Sequence, residues 1–350
     1  MVRLFAPVTI LLCCSFLILS SISSKLFYLQ ATWTALGVAT VGIFFLIDWR
    51  TIFHYRWFAL LLYGVSVCLL VFVVIYGAAI RNVQGWLTIG AASFQPVELA
   101  KVALIVVYAQ YFARRHIVIA RLSSIINSFI IVLIPFALTL LQPDLGSALI
   151  LMGIWVGFLL ASGLPWRYIA SAALLVAIVS PLIWMYALRP YQKERITGVF
   201  YPEKNALTVN YSVIQSRIAI GSAGWWGKGY GQGTQTQLGF LSEPANDFVF
   251  SAFIEEWGWL GGLVVLGAFI ALEGAVLSIG MIAHSNFEKL LCLGTAIVWG
   301  INFAINTGSA TGLFPVIGVT FPFLSYGGSS LLINFLLLAI INSIRRFQYS

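Results

Sequence analysis

The chain reads as an all-α polytopic membrane protein, about ten transmembrane helices with one large extracytoplasmic loop. Its 350 residues are 61% hydrophobic and only 9% charged, and its mean hydropathy is +0.98, far outside soluble composition. Apolar runs of roughly 20 residues, the length that crosses a bilayer as a helix, recur along almost the whole sequence. Sustained alternation of apolar and polar residues is absent, which argues against a transmembrane β-barrel.

The spans fall near 4–21, 30–47, 57–77, 97–113, 124–141, 146–162, 168–187, 248–280, 290–309 and 325–343. The first run follows Arg3 as a signal peptide would. Another apolar run starts at Ala31 with no A-x-A site between, so it reads as a retained helix. Cys13, Cys14, Cys68 and Cys292 lie inside spans and act as small apolar residues, not as a disulfide or metal framework. Gly153 with Gly157, and Gly258 with Gly262, have the GxxxG spacing that permits close helix contacts. The whole chain, 1–350, is then one membrane domain whose outer loop runs over about 188–247.

An even number of spans puts both termini on one side, and the basic residues decide which. With the N-terminus inside, Arg3, Arg50, Arg56, Arg114, Arg115, Arg121, Arg167, Lys289, Arg345 and Arg346 are cytoplasmic. Only Lys25 and Arg81 lie in short outer loops. The long outer loop keeps Arg189, Lys193, Arg195, Lys204, Arg217 and Lys228 outside against that bias, which suggests an anionic partner; a merely solvated loop is the plainer alternative. Within it, Tyr211 to Ile220 carries Val213, Ile214, Ile218 and Ala219 at helical spacing, a short helix lying in the membrane interface. Trp225, Trp226, Trp257 and Trp259 bracket the same region at the depth of an aromatic belt.

The most site-like stretch is Gly221 to Gly258. Gly221, Gly224, Gly227, Gly229, Gly231 and Gly233 surround Lys228, and backbone N–H groups of such a loop can approach a phosphate-like anion closely. Glu243 and Asp247 follow just before the next apolar run, where a carboxylate can do acid/base work. Plainer readings stand beside these: the glycines shape a loop, and Asp247 caps the next helix. Glu98 and Lys101 in FQPVELAK and Asp144 in QPDLGS add ionisable groups at the same face, although the first two could simply be an intrahelical ion pair. The loop INTGSATGLFPVIGVTFPFLSYGGSS has no charge, and such irregular backbone at membrane depth lines cavities.

Elimination narrows the chemistry. The three histidines, His54, His116 and His284, all sit in predicted cytoplasmic loops, so no Ser-His or Cys-His nucleophile forms outside. No Walker-type motif occurs. Glu255 lies roughly 12 Å along a helix from Asp247, too far for a glycosidase-like carboxylate pair. One general base plus lysine and arginine suits transfer from a sugar pyrophosphate, whose leaving group departs without a second acid.

Several long motifs carry a resemblance: FQPVELAK, LQPDLGSALI, YQKERITGVFYPEKN, IQSRIAIGSAGWWGKGYGQGTQTQLGFL, DFVFSAFIEEWG and FPVIGVTFPFLSYGGSS. In this order they make the chain similar, over nearly its full length, to the SEDS family of bacterial cell-wall polymerases, the RodA branch more than FtsW or SpoVE. The resemblance implies a ten-helix peptidoglycan glycosyltransferase that polymerises lipid II on the outer face of the bacterial cytoplasmic membrane during elongation. It also implies a class B penicillin-binding protein as partner, other elongation-complex membrane proteins, and no nucleic acid.

In the family motif LPE-x-HTDFIF the aspartate is the proposed catalytic residue, which carries over to Asp247. The glutamate of LPE carries over to Glu243, PSE-x-AK to Glu98 with Lys101, and the lysine of GKG to Lys228. Lys228, Lys101 and Arg217, in that order, are the candidates for holding pyrophosphate, with Asp144 a further substrate-binding candidate. Pyrophosphate readily binds a divalent cation, magnesium or manganese, which is the candidate cofactor although no dedicated cage stands in the sequence. The chain departs from the pattern at Ser242, Ala245 and Asn246, and at Gly85, where many members carry arginine. Alternatives from other classes are a flippase or transporter for the same lipid, with Glu273 the clear mid-span acid, a division polymerase of the FtsW kind, and a non-catalytic scaffold.

Overall fold

The computed structural model describes residues 2–46, 52–53, 55–80, 83–89, 92–114, 122–187, 190–201 and 210–346. Arg50, His54, Arg81, Arg115, His116, Arg121, Arg189, Glu203 and Lys204 lie outside the described residues. The first seven apolar helices are α1 (Val2–Ile22), α2 (Ser24–Leu46), α3 (Arg56–Tyr76), α4 (Pro96–Ala113), α5 (Leu122–Leu141), α6 (Leu145–Ala161) and α7 (Trp166–Leu182). Three short helices follow, α8 (Pro190–Phe200), α9 (Tyr211–Ser222) and α10 (Thr234–Gln237). The last three spans are α11 (Val249–Ile282), α12 (Asn286–Thr311) and α13 (Gly328–Arg346). Among the described residues nine helices are long and apolar enough to cross a membrane, and α6, with 17 residues, is a shorter tenth. Each lies on a predicted apolar run, so the all-α polytopic fold is borne out.

The connection between α3 and α4 is not a plain loop. It folds into an antiparallel three-stranded sheet, β1 (Ala78–Ile80), β2 (Val83–Ile89) and β3 (Ala92–Phe94), with Ala78 opposite Trp86 and Leu87 opposite Phe94. The strands have only three, seven and three residues, too few for alternation to stand out against the surrounding apolar helices.

Helix α12 organises the bundle by touching α4, α6 and α11, while α1 packs on α11 and α2 on α13. Gly153 and Gly157 form the α6–α12 seam. A Cβ on Gly153 would stand 2.5 Å from Ile301 Cδ1, and one on Gly157 2.7 Å from Ile297 Cδ1. The smallness of these two residues is what lets the helices meet. No described residue of α7 is buried, and Pro181 near its end leads into a π-helical turn, Ile183–Ala187. The helix is a peripheral element of the fold.

One expectation about local structure is overturned, and one expected helix is found with a different residue at its core. The second GxxxG is not a helix contact, because Gly258 has φ 71° and ψ −176° and breaks α11 in its second turn-pair. Helix α9 does exist, but it packs on α11 and α12 through Ser216, Ala219 and Ile220, whereas Ile218 of the expected apolar face is 44% exposed. The Ser216 hydroxyl explains the rotation: it pairs with Ser251 Oγ at 2.6 Å and reaches the Ala310 carbonyl at 2.6 Å. Satisfying a buried hydroxyl outweighs exposing one isoleucine.

Candidate active site

Asp247 ends a tight turn whose shape is set by Glu243. Glu243 adopts φ 48°, its carbonyl accepts the N–H of Asn246 (3.1 Å) and of Phe248 (3.3 Å), and its carboxylate accepts Asn246 Nδ2 at 3.2 Å. Helix α11 starts at Val249 with Phe248 as its N-cap, which places Asp247 one residue before the cap. Its backbone is held from across the bundle. Asn306 of α12 donates Nδ2 to the carbonyls of Asp247 (3.1 Å) and Val319 (2.8 Å). Ser325 donates to the Asn246 carbonyl (2.7 Å) and accepts Phe321 N–H (2.9 Å), and Tyr326 N–H reaches the Ala245 carbonyl (2.8 Å). Beside this clamp Phe269 and Phe303 stack with centroids 4.3 Å apart, and Phe321 meets both rings edge-on.

The Asp247 side of the turn faces a cavity of about 190 Å³. Helix α8 supplies Arg195, Gly198 and Val199, the start of α9 supplies Asn210, Ser212 and Val213, and the segment after α12 supplies Gly312 and Phe314 to Val316. Gly198 is buried against the Asn210 side chain, where any Cβ would overlap the amide, so this glycine brings α8 up to the cavity wall. Arg195 donates Nη1 to the Val316 carbonyl at 3.0 Å, which orients its guanidinium along that wall. Arg217 stands at the rim: its Nε donates to Thr311 O at 3.1 Å, and it lies beside Gly312, the left-handed C-cap of α12. The cavity thus joins one carboxylate to an arginine in its wall, with amide and hydroxyl groups between.

The glycine-rich loop does something else. Where Gly258 interrupts α11, the freed carbonyls of Glu255 and Glu256 accept the N–H groups of Lys228 (2.9 Å) and Gly229 (3.0 Å). In return the Trp259 and Leu260 N–H groups donate to the carbonyls of Gly224 (3.0 Å) and Trp225 (3.2 Å). Gly227 has φ 80°, and a Cβ there would overlap the Glu256 carbonyl, while one on Gly258 would overlap the Trp225 carbonyl. Two backbones therefore touch directly, which only glycine permits. The N–H groups of Lys228 and Gly229, expected at a phosphate, are engaged instead in splicing a broken helix.

Lys228 follows the same logic. Its Nζ bonds Glu255 Oε1 (2.8 Å) and Thr234 Oγ1 (2.7 Å). Glu255, with its side chain fully buried, also accepts Gln235 N–H (2.8 Å), Thr236 N–H (3.1 Å) and Thr236 Oγ1 (2.9 Å). The neighbouring Glu256 turns the other way, accepting Ser21 of α1 and Gln237 Nε2 at 3.1 Å. With Glu255 wholly buried and the Lys228 side chain 22% exposed, removing the lysine should cost less than the roughly 3–5 kcal/mol of a fully buried pair, but it leaves the carboxylate charged without its cation.

Of the remaining predicted residues, Glu98 and Lys101 form a buried intrahelical pair on α4 at 2.8 Å, with the residues 6% and 2% exposed. Asp144 is the N-cap of α6, accepting Ser147 N–H (2.9 Å), Ser147 Oγ (2.7 Å) and Gln95 Nε2 (2.9 Å). The cavity wall takes Asp247 and none of the other six; Glu243 shapes the turn and Arg217 stands on the rim. Arg195 stood only among the basic residues of the outer loop, and Asn210, Asn306 and Ser325 were not singled out. The available signal was a mid-span asparagine in INFAIN, since an amide in an apolar run must find buried partners.

The sequence model of the cell cycle protein family FtsW/RodA/SpoVE matches residues 4–350. The peptidoglycan glycosyltransferase MrdB of Escherichia coli K12 is 37% identical over 292 residues, 83% of this chain and 78% of MrdB. Among solved structures, a chain of a peptidoglycan synthase complex that coordinates polymerization and crosslinking superposes with a TM-score of 0.87 at 29% identity, covering 99% of this chain and 98% of its own. The rod shape determining protein RodA of Thermus thermophilus gives a TM-score of 0.75 at 27% identity, covering 100% and 98%. With the family model spanning almost every residue and the fold shared end to end, the chain belongs to the FtsW/RodA/SpoVE family, the SEDS proteins that its motifs resemble.

Proposed function

We propose that this multi-pass membrane protein is a peptidoglycan glycosyltransferase of the RodA kind, polymerising lipid II into glycan strands for cell elongation, with Asp247 as its general base. The observation that carries the assignment of the base is the cavity lined by both Asp247 and Arg195, with the Asp247 backbone clamped by Asn306. Asp247 takes the proton from the 4-hydroxyl of the acceptor sugar as that oxygen attacks the anomeric carbon of the lipid-linked donor. The bond from that carbon to the pyrophosphate oxygen breaks, the electron pair leaves with the polyprenyl pyrophosphate, and a β-1,4 linkage forms with inversion. Arg195 in the wall and Arg217 at the rim meet the charge that develops on the leaving group. A planar guanidinium, permanently charged and bidentate, suits a phosphate oxygen pair better than an ammonium already paired.

Among the described residues no three His, Cys, Asp or Glu side chains gather into a cation site, so a magnesium or manganese ion would arrive with the substrate's pyrophosphate. The location is the bacterial cytoplasmic membrane, with both termini inside, the cavity on the outer face and a class B penicillin-binding protein alongside. Purified protein with that partner, its own active site blocked, should build glycan polymer from lipid II. Asp247→Asn should lose about 100-fold or more of that rate. Equal polymer from both proteins would remove Asp247 from the reaction.

A further inference from the structure

We infer that Lys228 and Glu255 are positioning residues: a buried staple that holds the loop delivering Asp247, with Lys228 acting through Glu255 and not on the substrate. The inference rests on the glycosyltransferase reading of the Asp247 cavity. Four observations carry it. Lys228 directs its ammonium at Glu255 and Thr234, so its charge is already balanced by a carboxylate whose side chain is wholly buried. The cavity wall that includes Asp247 and Arg195 does not include Lys228. The Glu255 carboxylate also gathers the N–H groups of Gln235 and Thr236. Gly233 lies so close that a Cβ would come within 2.8 Å of Glu255 Oε2.

The geometry explains how a pair on one half of α11 governs a base at its other end. The segment from Lys228 to Asp247 leaves and rejoins the same half-helix. It starts on the Glu255 and Glu256 carbonyls through the N–H groups of Lys228 and Gly229, and returns at Val249. The Glu255 side chain pins the middle of that ring. Released there, the ring keeps its ends, the Gln237 bonds to Ser21 and Glu256 and the Asn306 and Ser325 bonds to the turn, but the stretch leading into the Asp247 turn loses its anchor on α11. A loss of roughly an ångström in the placement of a reacting group is enough to slow a reaction about 100-fold.

The test uses the full chain with its partner and lipid II, comparing wild type with Lys228→Met, Glu255→Gln, the double variant and Lys228→Arg. For each, kcat and KM are read from polymerisation, and amide hydrogen exchange is followed at Lys228, Gly229, Gln235 and Thr236. Both single variants should lower kcat by about 10-fold or more with KM for lipid II little changed, because positioning acts on the transition state. The double variant should be no worse than the worse single one, since the two act as a unit. Lys228→Arg should recover most of the rate, and exchange at the four amides should quicken alike in Lys228→Met and Glu255→Gln.

A raised KM in Lys228→Met with Glu255→Gln near wild type would put Lys228 on the substrate and overturn the inference. Losses that simply add in the double variant would also overturn it. Unaltered kcat in folded single variants would do the same. No polymer from wild type would remove the glycosyltransferase reading itself, and the exchange data would still decide the staple: unchanged protection in Glu255→Gln sinks it.

Discussion

At the scale of single residues, two kinds of polar side chain surround the cavity, those that face it and those that hold what faces it. Arg195 faces it, and Arg195→Gln should reduce kcat/KM for lipid II by about 10–100-fold, with Arg195→Lys only partly restoring it, because a lysine lacks the planar fork. Asn306 holds. Its Nδ2 serves the carbonyls of Asp247 and Val319, so Asn306→Ala leaves both buried oxygens short of a donor and should cost about 1–3 kcal/mol in stability. The check is a thermal midpoint in detergent alongside the polymerisation rate: both should fall, and a fall in neither would mean that the backbone finds other donors. Residue type alone separated these classes poorly. Asp247 was legible from its place before an apolar run, whereas Lys228 looked like an anion site until its partner, Glu255, was seen 27 positions away.

At the scale of elements, the decisive feature is the broken helix α11. An unbroken helix would satisfy its own carbonyls and leave the glycine loop nothing to bind. At φ 71° and ψ −176°, Gly258 occupies backbone space essentially closed to other residues, and a Cβ would also overlap the Trp225 carbonyl. Gly258→Ala should therefore destabilise the protein by about 3 kcal/mol or more and remove activity with it. Gly221→Ala makes the control. That glycine lies within α9 with nothing within 4 Å of an added Cβ, so the change should be neutral or stabilise by about 0.5–1 kcal/mol. Thermal unfolding of the two variants side by side tests the pair, and equal effects would refute the splice. The sequence showed six glycines around one lysine; which of them were needed for backbone contact depended on a helix whose break no periodicity announces.

At the scale of the whole molecule, close-packed seams and buried pairs hold the bundle that carries the site. The α6–α12 seam depends on Gly153 and Gly157, and Gly157→Leu should push the helices apart, lowering yield and thermal midpoint through overpacking of about 1–3 kcal/mol. The Glu98–Lys101 pair on α4 gives a sharper test. Glu98→Gln or Lys101→Met alone should cost about 3–5 kcal/mol, while the double variant, freed of an unpaired buried charge, should recover part of that loss. A double variant as unstable as the sum of the singles would mean that the pair contributes more than charge balance.

The number and places of the spans, the polytopic all-α class and the stretch that brings Asp247 to the cavity were determined by the sequence itself. Each depends on properties counted along the chain: apolar length against bilayer thickness, charge in short loops, and a carboxylate before a helix. The cavity that brings Asp247 and Arg195 into one lining, the Asn306 clamp and the pairing of Lys228 with Glu255 were decided only by the tertiary structure. Those contacts join residues from α8, α11, α12 and the glycine loop, and which polar groups meet depends on how apolar faces pack and where Gly258 frees backbone carbonyls. A local pattern records what a segment can form; the energy of leaving a buried polar group without a partner chooses among the ways those segments can meet.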